Sequence, residues 1–161
     1  MIRSILYATD LGLYAPYVLQ HALSLTRAYS AELYVVHAVE PMGLFADSVL
    51  QTYLDSETLA ELRASGMQTV MGNIEKRVME GFRDELGELQ PDAGLIRSVR
   101  VMLGDPPMVI LEEAQRLGVD LIVAGSHSHG DGLNTPLGRT AARVVQLAEV
   151  PVYLVPMLQH R

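Results

Sequence analysis

The chain has no cysteine, little positive charge and no run of about 18 apolar residues, and each absence removes a class of function. Without cysteine there is no disulfide, no thiol nucleophile and no Cys-ligated metal, a composition compatible with a reducing compartment. Without a long apolar run, integral membrane insertion is excluded. The N-terminus carries only Arg3 as a basic residue before Asp10, lacks the apolar core of a signal peptide and reads as a first strand, so the expectation is a cytoplasmic protein. Twelve Lys and Arg stand against 19 Asp and Glu, and the formal net charge of −7, with no basic cluster, argues against a nucleic-acid partner. Several motifs are missing as well. There is no Walker A signature, no G-x-G-x-x-G after the first strand and no carboxylate constellation for a metal, and Gly125-Ser126-His127-Ser128-His129 lacks the spacing of a nucleophile elbow.

What is present is an alternation of strands and helices. At 161 residues the chain reads as one domain, 1–161, large enough for a sizeable core. Residues 4–8, 31–39, 96–103, 121–124 and 152–155 are apolar, β-rich runs that predict five strands, the first two buried on both faces. Between the first two, Val18, Leu19, Ala22, Leu25, Thr26 and Tyr29 recur at helical spacing after Pro16. Helices are also predicted over 106–117, opened by Asp105 as N-cap with a bond to the Met108 N–H and closed by a left-handed Gly118, and over 136–148, with Ala141, Val144, Val145 and Ala148 on one face. Such alternation implies an open, mainly parallel five-stranded α/β sheet with helices on both faces. Two segments break the rhythm. Residues 41–55 are apolar without a period and read as an insertion or flap, and 56–86 reads as one long helix interrupted by glycines, with Val70, Ile74, Val78, Phe82 and Leu86 on one face.

The chemistry concentrates where the strand 121–125 runs into Ser126-His127-Ser128-His129-Gly130-Asp131-Gly132 and then Gly138-Arg139-Thr140. A strand leading through a glycine-rich loop into a helix aims backbone N–H groups and a helix N-terminus at a phosphate. His127 and His129 alternate on a loop, unlike the i, i+4 pair of a helical zinc site, and read as polar residues of that loop rather than as metal ligands. Asp10, at the end of the first strand, either caps the following turn or meets a ligand. His37 and His21 read as hydrogen-bonded core residues, and Met67, Met71 and Met79 as packing.

With these elements in order, the chain resembles the universal stress protein family. The resemblance rests on Ile5-Leu6-Tyr7-Ala8-Thr9-Asp10, Val35-Val36-His37-Ala38-Val39-Glu40, Gly104-Asp105-Pro106, Val119–Ser126 and Pro151–Pro156, five segments in sequence order. It implies a Rossmann-like sheet of the adenine-nucleotide alpha hydrolase-like kind that binds ATP or ADP, with Mg2+ as the accompanying cation, at the carboxyl ends of the strands. It further implies Asp10 beside the adenosine, backbone near Val39 along the adenine, and Gly125, Gly138 and Thr140 around the phosphates; beside these, His127 reads as lining the phosphate loop and Gly130, with Gly132, as remaking its cradle in a shifted register. The family pattern G-x2-G-x9-G-[S/T] is met by Gly125 and Gly138, while Ser128 replaces its second glycine and Arg139 its hydroxyl residue. Arg139 either crowds a phosphate or contacts it bidentately, and Thr140 stands one position late for the hydroxyl role.

The resulting expectation is a ligand-responsive, nucleotide-binding module. The alternatives are a nucleotide-independent homodimeric interaction protein and a slow ATPase. A homodimer is expected through the closing strand, Val152, Tyr153, Leu154 and Val155, whose free edge a two-fold axis would pair with its copy.

Overall fold

The computed structural model describes residues 1–40, 52–53, 55–61, 72–73, 75–81, 94–127 and 137–156. In chain order the elements are β1 (Ser4–Ala8), α1 (Ala15–Tyr29), β2 (Glu32–Val39), α2 (Ser56–Glu61), β3 (Ile96–Leu103), α3 (Pro106–Leu117), β4 (Leu121–Gly125), α4 (Arg139–Leu147) and β5 (Val152–Val155). The five strands form one sheet in the order β3-β2-β1-β4-β5, every pair parallel. The expected fold class is therefore what the chain adopts.

Side chains one residue apart on a strand point to opposite faces, and this divides the core in two. Ile5 and Tyr7 of β1, with Leu33, Val35 and Val123, pack against Val18, Leu19 and Ala22 of α1. Leu6 and Ala8, with Val36 and Ile122, pack against Ile110 of α3 and Val144 of α4. Because helices cover both faces, β1 is buried from Ile5 to Ala8 without alternation, as a central parallel strand requires.

Local chemistry sets the ends. Gly118 adopts φ 63°, the left-handed cap expected of it, and the N–H of Val119 returns to the Ala114 carbonyl at 3.2 Å. Asp120 then ties the start of the chain to β4, accepting the N–H groups of Arg3 at 2.8 Å and Ser4 at 3.1 Å. These backbone donors hold its carboxyl below the usual carboxylate range. At the other edge, Glu75 Oε1 accepts the Val101 N–H at 3.1 Å, so part of the β3 edge is covered from the helical residues 75–81.

Several local expectations need correction. Asp105 occupies the N-cap of α3 but its side chain makes no capping bond: Pro107 at the second helical position leaves the Met108 N–H as the donor for such a cap, and that bond is not formed. Tyr29 is 49% exposed and Leu23 is buried in its stead, because the stripe that meets the sheet runs through 18, 19, 22, 23 and 26. Helix α4 starts at Arg139, not 136, and Val145 lies 45% exposed, a turn of about 100° away from the buried Val144. His21 is half-buried rather than part of the core, and its Nδ1 lies 3.0 Å from the Tyr153 hydroxyl. Of the expected long helix, 56–61, 72–73 and 75–81 are helical, with Val78 buried, and its continuity lies outside the described residues, as do most of 41–55 and all of 128–136. Among the described residues no helix is long and apolar enough to cross a membrane.

Candidate functional site

Strand order reverses direction between β1 and β4: the chain leaves β1 toward β2 and β3 on one side and returns through β4 to β5 on the other. Connections that diverge from neighbouring strands open a crevice at the strands' carboxyl ends, where open parallel sheets bind ligands. A cleft of about 410 Å³ lies there, within the size range of small-molecule sites.

Its middle is built by the turn after β1. Thr9 continues the ladder through its N–H to the Val36 carbonyl at 2.9 Å, and its hydroxyl accepts the Leu11 N–H at 3.0 Å. Asp10 accepts the Gly12 N–H at 2.8 Å on Oδ1, an Asx turn that lets Leu11 take φ 57°. A Cβ on Gly12 would come within 3.0 Å of that oxygen, so the turn is closed tightly around the carboxylate. Asp10 thus fills the turn-capping role while remaining exposed at the cleft.

The β2 side supplies His37, Ala38, Val39 and Glu40. His37 Nδ1 lies 2.8 Å from the Thr9 carbonyl. A carbonyl only accepts, so Nδ1 carries the proton, and in the neutral ring Nε2 is left as an acceptor. The Val39 carbonyl accepts the Gly104 N–H at 3.0 Å, which joins this wall to the start of α3, where Pro106 and Ile110 continue it.

The β4 side supplies the polar end. Gly125 leaves ordinary room, since a Cβ added there would meet the His127 carbonyl and Val18 Cγ2 at 3.6 Å each. Ser126 is buried; its N–H donates to the Val155 carbonyl and its carbonyl accepts the Gly138 N–H, both at 2.8 Å. Its hydroxyl lies 2.8 Å from His127 Nδ1. Gly138 is the N-cap of α4, with its carbonyl on the Ala142 N–H at 2.9 Å, so the N–H groups of Arg139, Thr140 and Ala141 have no acceptor inside the helix. From β2 to β4 is two inter-strand steps, roughly 10 Å, enough to lay out a ligand with one end on the apolar β2–α3 wall and the other at this helix end.

Of the residues anticipated for the site, Asp10, Val39, Gly125, His127 and Thr140 line the cleft. Gly138 and Arg139 do not: Gly138 sits buried behind Ser126, and Arg139 is exposed. Gly130 lies outside the described residues, together with Ser128, His129 and Gly132. The cleft also recruits Thr9, Ser126, His37, Tyr14 and Ile110, which the motif did not single out. The rule that the first turns after the strands face the ligand would have found Thr9 and Ser126; nothing local marks Ile110. Among the described residues no three His, Asp or Glu come together as a metal site.

The comparisons with known proteins agree with this architecture. The sequence pattern of the Universal stress protein family matches residues 1–156. The chain is 27% identical over 139 residues to Universal stress protein A homolog 2 of Coxiella burnetii, covering 86% of this chain and 83% of that protein. It is 24% identical over 158 residues to Universal stress protein MJ0577 of Methanocaldococcus jannaschii, 96% of this chain and 95% of that one. The solved structure of MJ0577 shares the fold with a TM-score of 0.74 at 22% identity over 99% of both chains. A universal stress protein solved in complex with cAMP shares it with a TM-score of 0.54 at 17% identity, over 96% of this chain and 97% of that one.

Proposed function

Since the chain belongs to the universal stress protein family, we propose that it is a cytoplasmic, ligand-responsive module that binds an adenine nucleotide, ATP or ADP, in the cleft between β1 and β4. The observation that carries this reading is the cleft itself. It lies at the reversal of strand order, walled by Val39 and Ile110 at one end and faced by Ser126 and Thr140 at the other. That division matches a ligand with an apolar ring and an anionic end. Mg2+ would arrive on the phosphates, which is how that ion is usually held.

The function is binding rather than turnover, and the response to the ligand is passed on by a homodimer. The carbonyls of Pro151, just before β5, and Val155, at its end, accept from Ile122 of β4 and from Ser126 just after it. Alternation along the strand then turns the N–H and C=O groups of Val152 and Leu154 to the outer edge. Those groups are what a second copy would pair with. This edge also supports the second reading, a dimeric interaction protein that needs no nucleotide.

Calorimetric titration with ATP and ADP, with and without Mg2+, tests the proposal, alongside analysis of nucleotide retained through purification. Micromolar-range binding is expected, with cAMP as a further ligand for comparison. Absence of any adenine-nucleotide binding at millimolar concentration would leave the nucleotide-independent dimer as the surviving function. Phosphate release above the buffer rate would instead identify the slow ATPase.

A further inference from the structure

We propose that Arg100 and Arg116, gathered on the Glu113 carboxylate, form an anion site outside the cleft that takes a dianionic phosphoryl group. The site stands independently of the nucleotide reading, since none of the three residues lines the cleft.

The site begins with a buried charge. Glu113 lies on the inner side of α3 with its side chain 3% exposed, a position where an ionised carboxylate must be paired. Arg116, one turn later, grips it as a fork: Nε donates to Oε2 at 3.1 Å and Nη2 donates to Oε1. This is the strong, charge-assisted arrangement, and Glu113 raises the pKa of that guanidinium further above its ordinary value. Arg100 comes from β3, where it stands in register with Val36 and so shares the sheet face that α3 covers. Its Nη1 approaches both carboxylate oxygens, each at 3.4 Å, the long end of hydrogen bonding.

Two cations therefore meet one anion. The first arginine already neutralises Glu113, and the second leaves a unit of positive charge over. The guanidinium side chains are 40% and 52% exposed while the carboxylate is shut in behind them, so the surplus faces solvent. Among the described residues no second carboxylate pairs with either arginine; Glu112, the exposed acidic neighbour on α3, bonds neither, and Glu32 is engaged by Arg97 and Tyr34. Donors are left over as well: Nη1 of Arg116, and Nε and Nη2 of Arg100. Ser98, two residues before Arg100 and so on the same face of β3, adds a half-buried hydroxyl to that side. Guanidinium forks match oxyanions, and two of them held by a shared carboxylate have already lost much of the rotamer freedom that binding would otherwise cost. A phosphoryl group suits them better than a carboxylate, because it carries about two negative charges at neutral pH and has acceptor oxygens for both forks and for the hydroxyl.

Inorganic phosphate is the probe, titrated into the full chain at pH 7.5 and constant ionic strength while the guanidinium carbon signals of Arg100 and Arg116 are followed by NMR, each assigned through its Gln variant. Saturable shifts of both signals are expected at millimolar phosphate and not with chloride. Arg100→Gln leaves the Glu113–Arg116 pair intact and should weaken the response of Arg116 about fivefold, the size of one solvent-facing ionic contact. The same titration with N-acetyl-O-phosphoserine amide separates the two sources of the group: binding as tight as that of phosphate supports the site with an esterified phosphoryl group as its occupant, and weaker binding supports it with the free ion. Shifts that chloride reproduces, or an undiminished Arg116 response in a folded Arg100→Gln protein, overturn the proposal.

Discussion

Gly104 stands between the cleft wall and the core, and a single methyl group there should be costly for a reason that can be isolated. Its N–H holds the Val39 carbonyl, and a Cβ added to it would lie 2.8 Å from Cγ2 of Val109. Carbon atoms pack best at about 3.5–4.0 Å, so the overlap is roughly 0.7 Å or more. Val109 is 5% exposed and, as a β-branched residue in a helix, has essentially one χ1 rotamer, so it cannot turn away. The backbone φ of 158° at Gly104 adds strain for any residue with a side chain. Overpacking of this kind costs about 1–3 kcal/mol, and a 2 kcal/mol loss lowers the melting temperature of a domain of this size by about 4–8 °C. Urea unfolding of Gly104→Ala, Val109→Ala and the double variant separates clash from strain. Val109→Ala alone removes two methylene equivalents of burial, about 1.6 kcal/mol. The double variant should be more stable than the sum of the singles predicts by about 1 kcal/mol, because the methyl that collides is gone. Additive effects, or a Gly104→Ala protein as stable as the parent, would refute the close approach.

Four further outcomes are expected. Gly138→Val, at the buried N-cap behind Ser126, should displace the start of α4 and weaken ATP and AMP binding severalfold in a folded protein; unchanged affinity by calorimetry would refute a ligand held by that helix end. Ser128→Gly with Arg139→Ser restores the family's phosphate pattern and should raise ATP affinity more than adenosine affinity, which parallel titrations would show. Val152→Pro with Leu154→Pro removes the outward N–H groups of β5 without touching those that face β4, so sedimentation equilibrium should give a dimer for the parent and a folded monomer for the variant. Asp120 has a carboxyl pKa lowered chiefly by the Arg3 N–H, so its contribution to stability is complete above the ordinary carboxylate range and is lost as pH falls through the folded value; acid titration of Asp120→Asn should lack that part of the decline.

The sequence by itself determined the elements. Runs buried on both faces, such as Ile5–Ala8, are strands of a covered parallel sheet, Gly118 can close a helix in a left-handed conformation, and Pro106 can open one, because these follow from local sterics and from period. The glycine-bearing stretch after β4 likewise pointed to the carboxyl end of the sheet, where Gly125, His127 and Thr140 line one cleft with Asp10 and Val39. Tertiary structure decided what each of those groups is free to do. The order β3-β2-β1-β4-β5 brings Thr9 against His37, 28 residues away in sequence, and fixes that imidazole's tautomer. The packing of β5 beside β4 engages the Ser126 N–H, and the entry of α4 engages the Gly138 N–H that the motif alone would have offered to a phosphate. Tyr29 and Val145 satisfy a helical apolar pattern and still face solvent, because the pattern defines a stripe and only the neighbouring sheet defines how wide a stripe is covered. Whether a donor, acceptor or apolar face is available is a property of its partners, and those partners come from distant segments that no local rule connects.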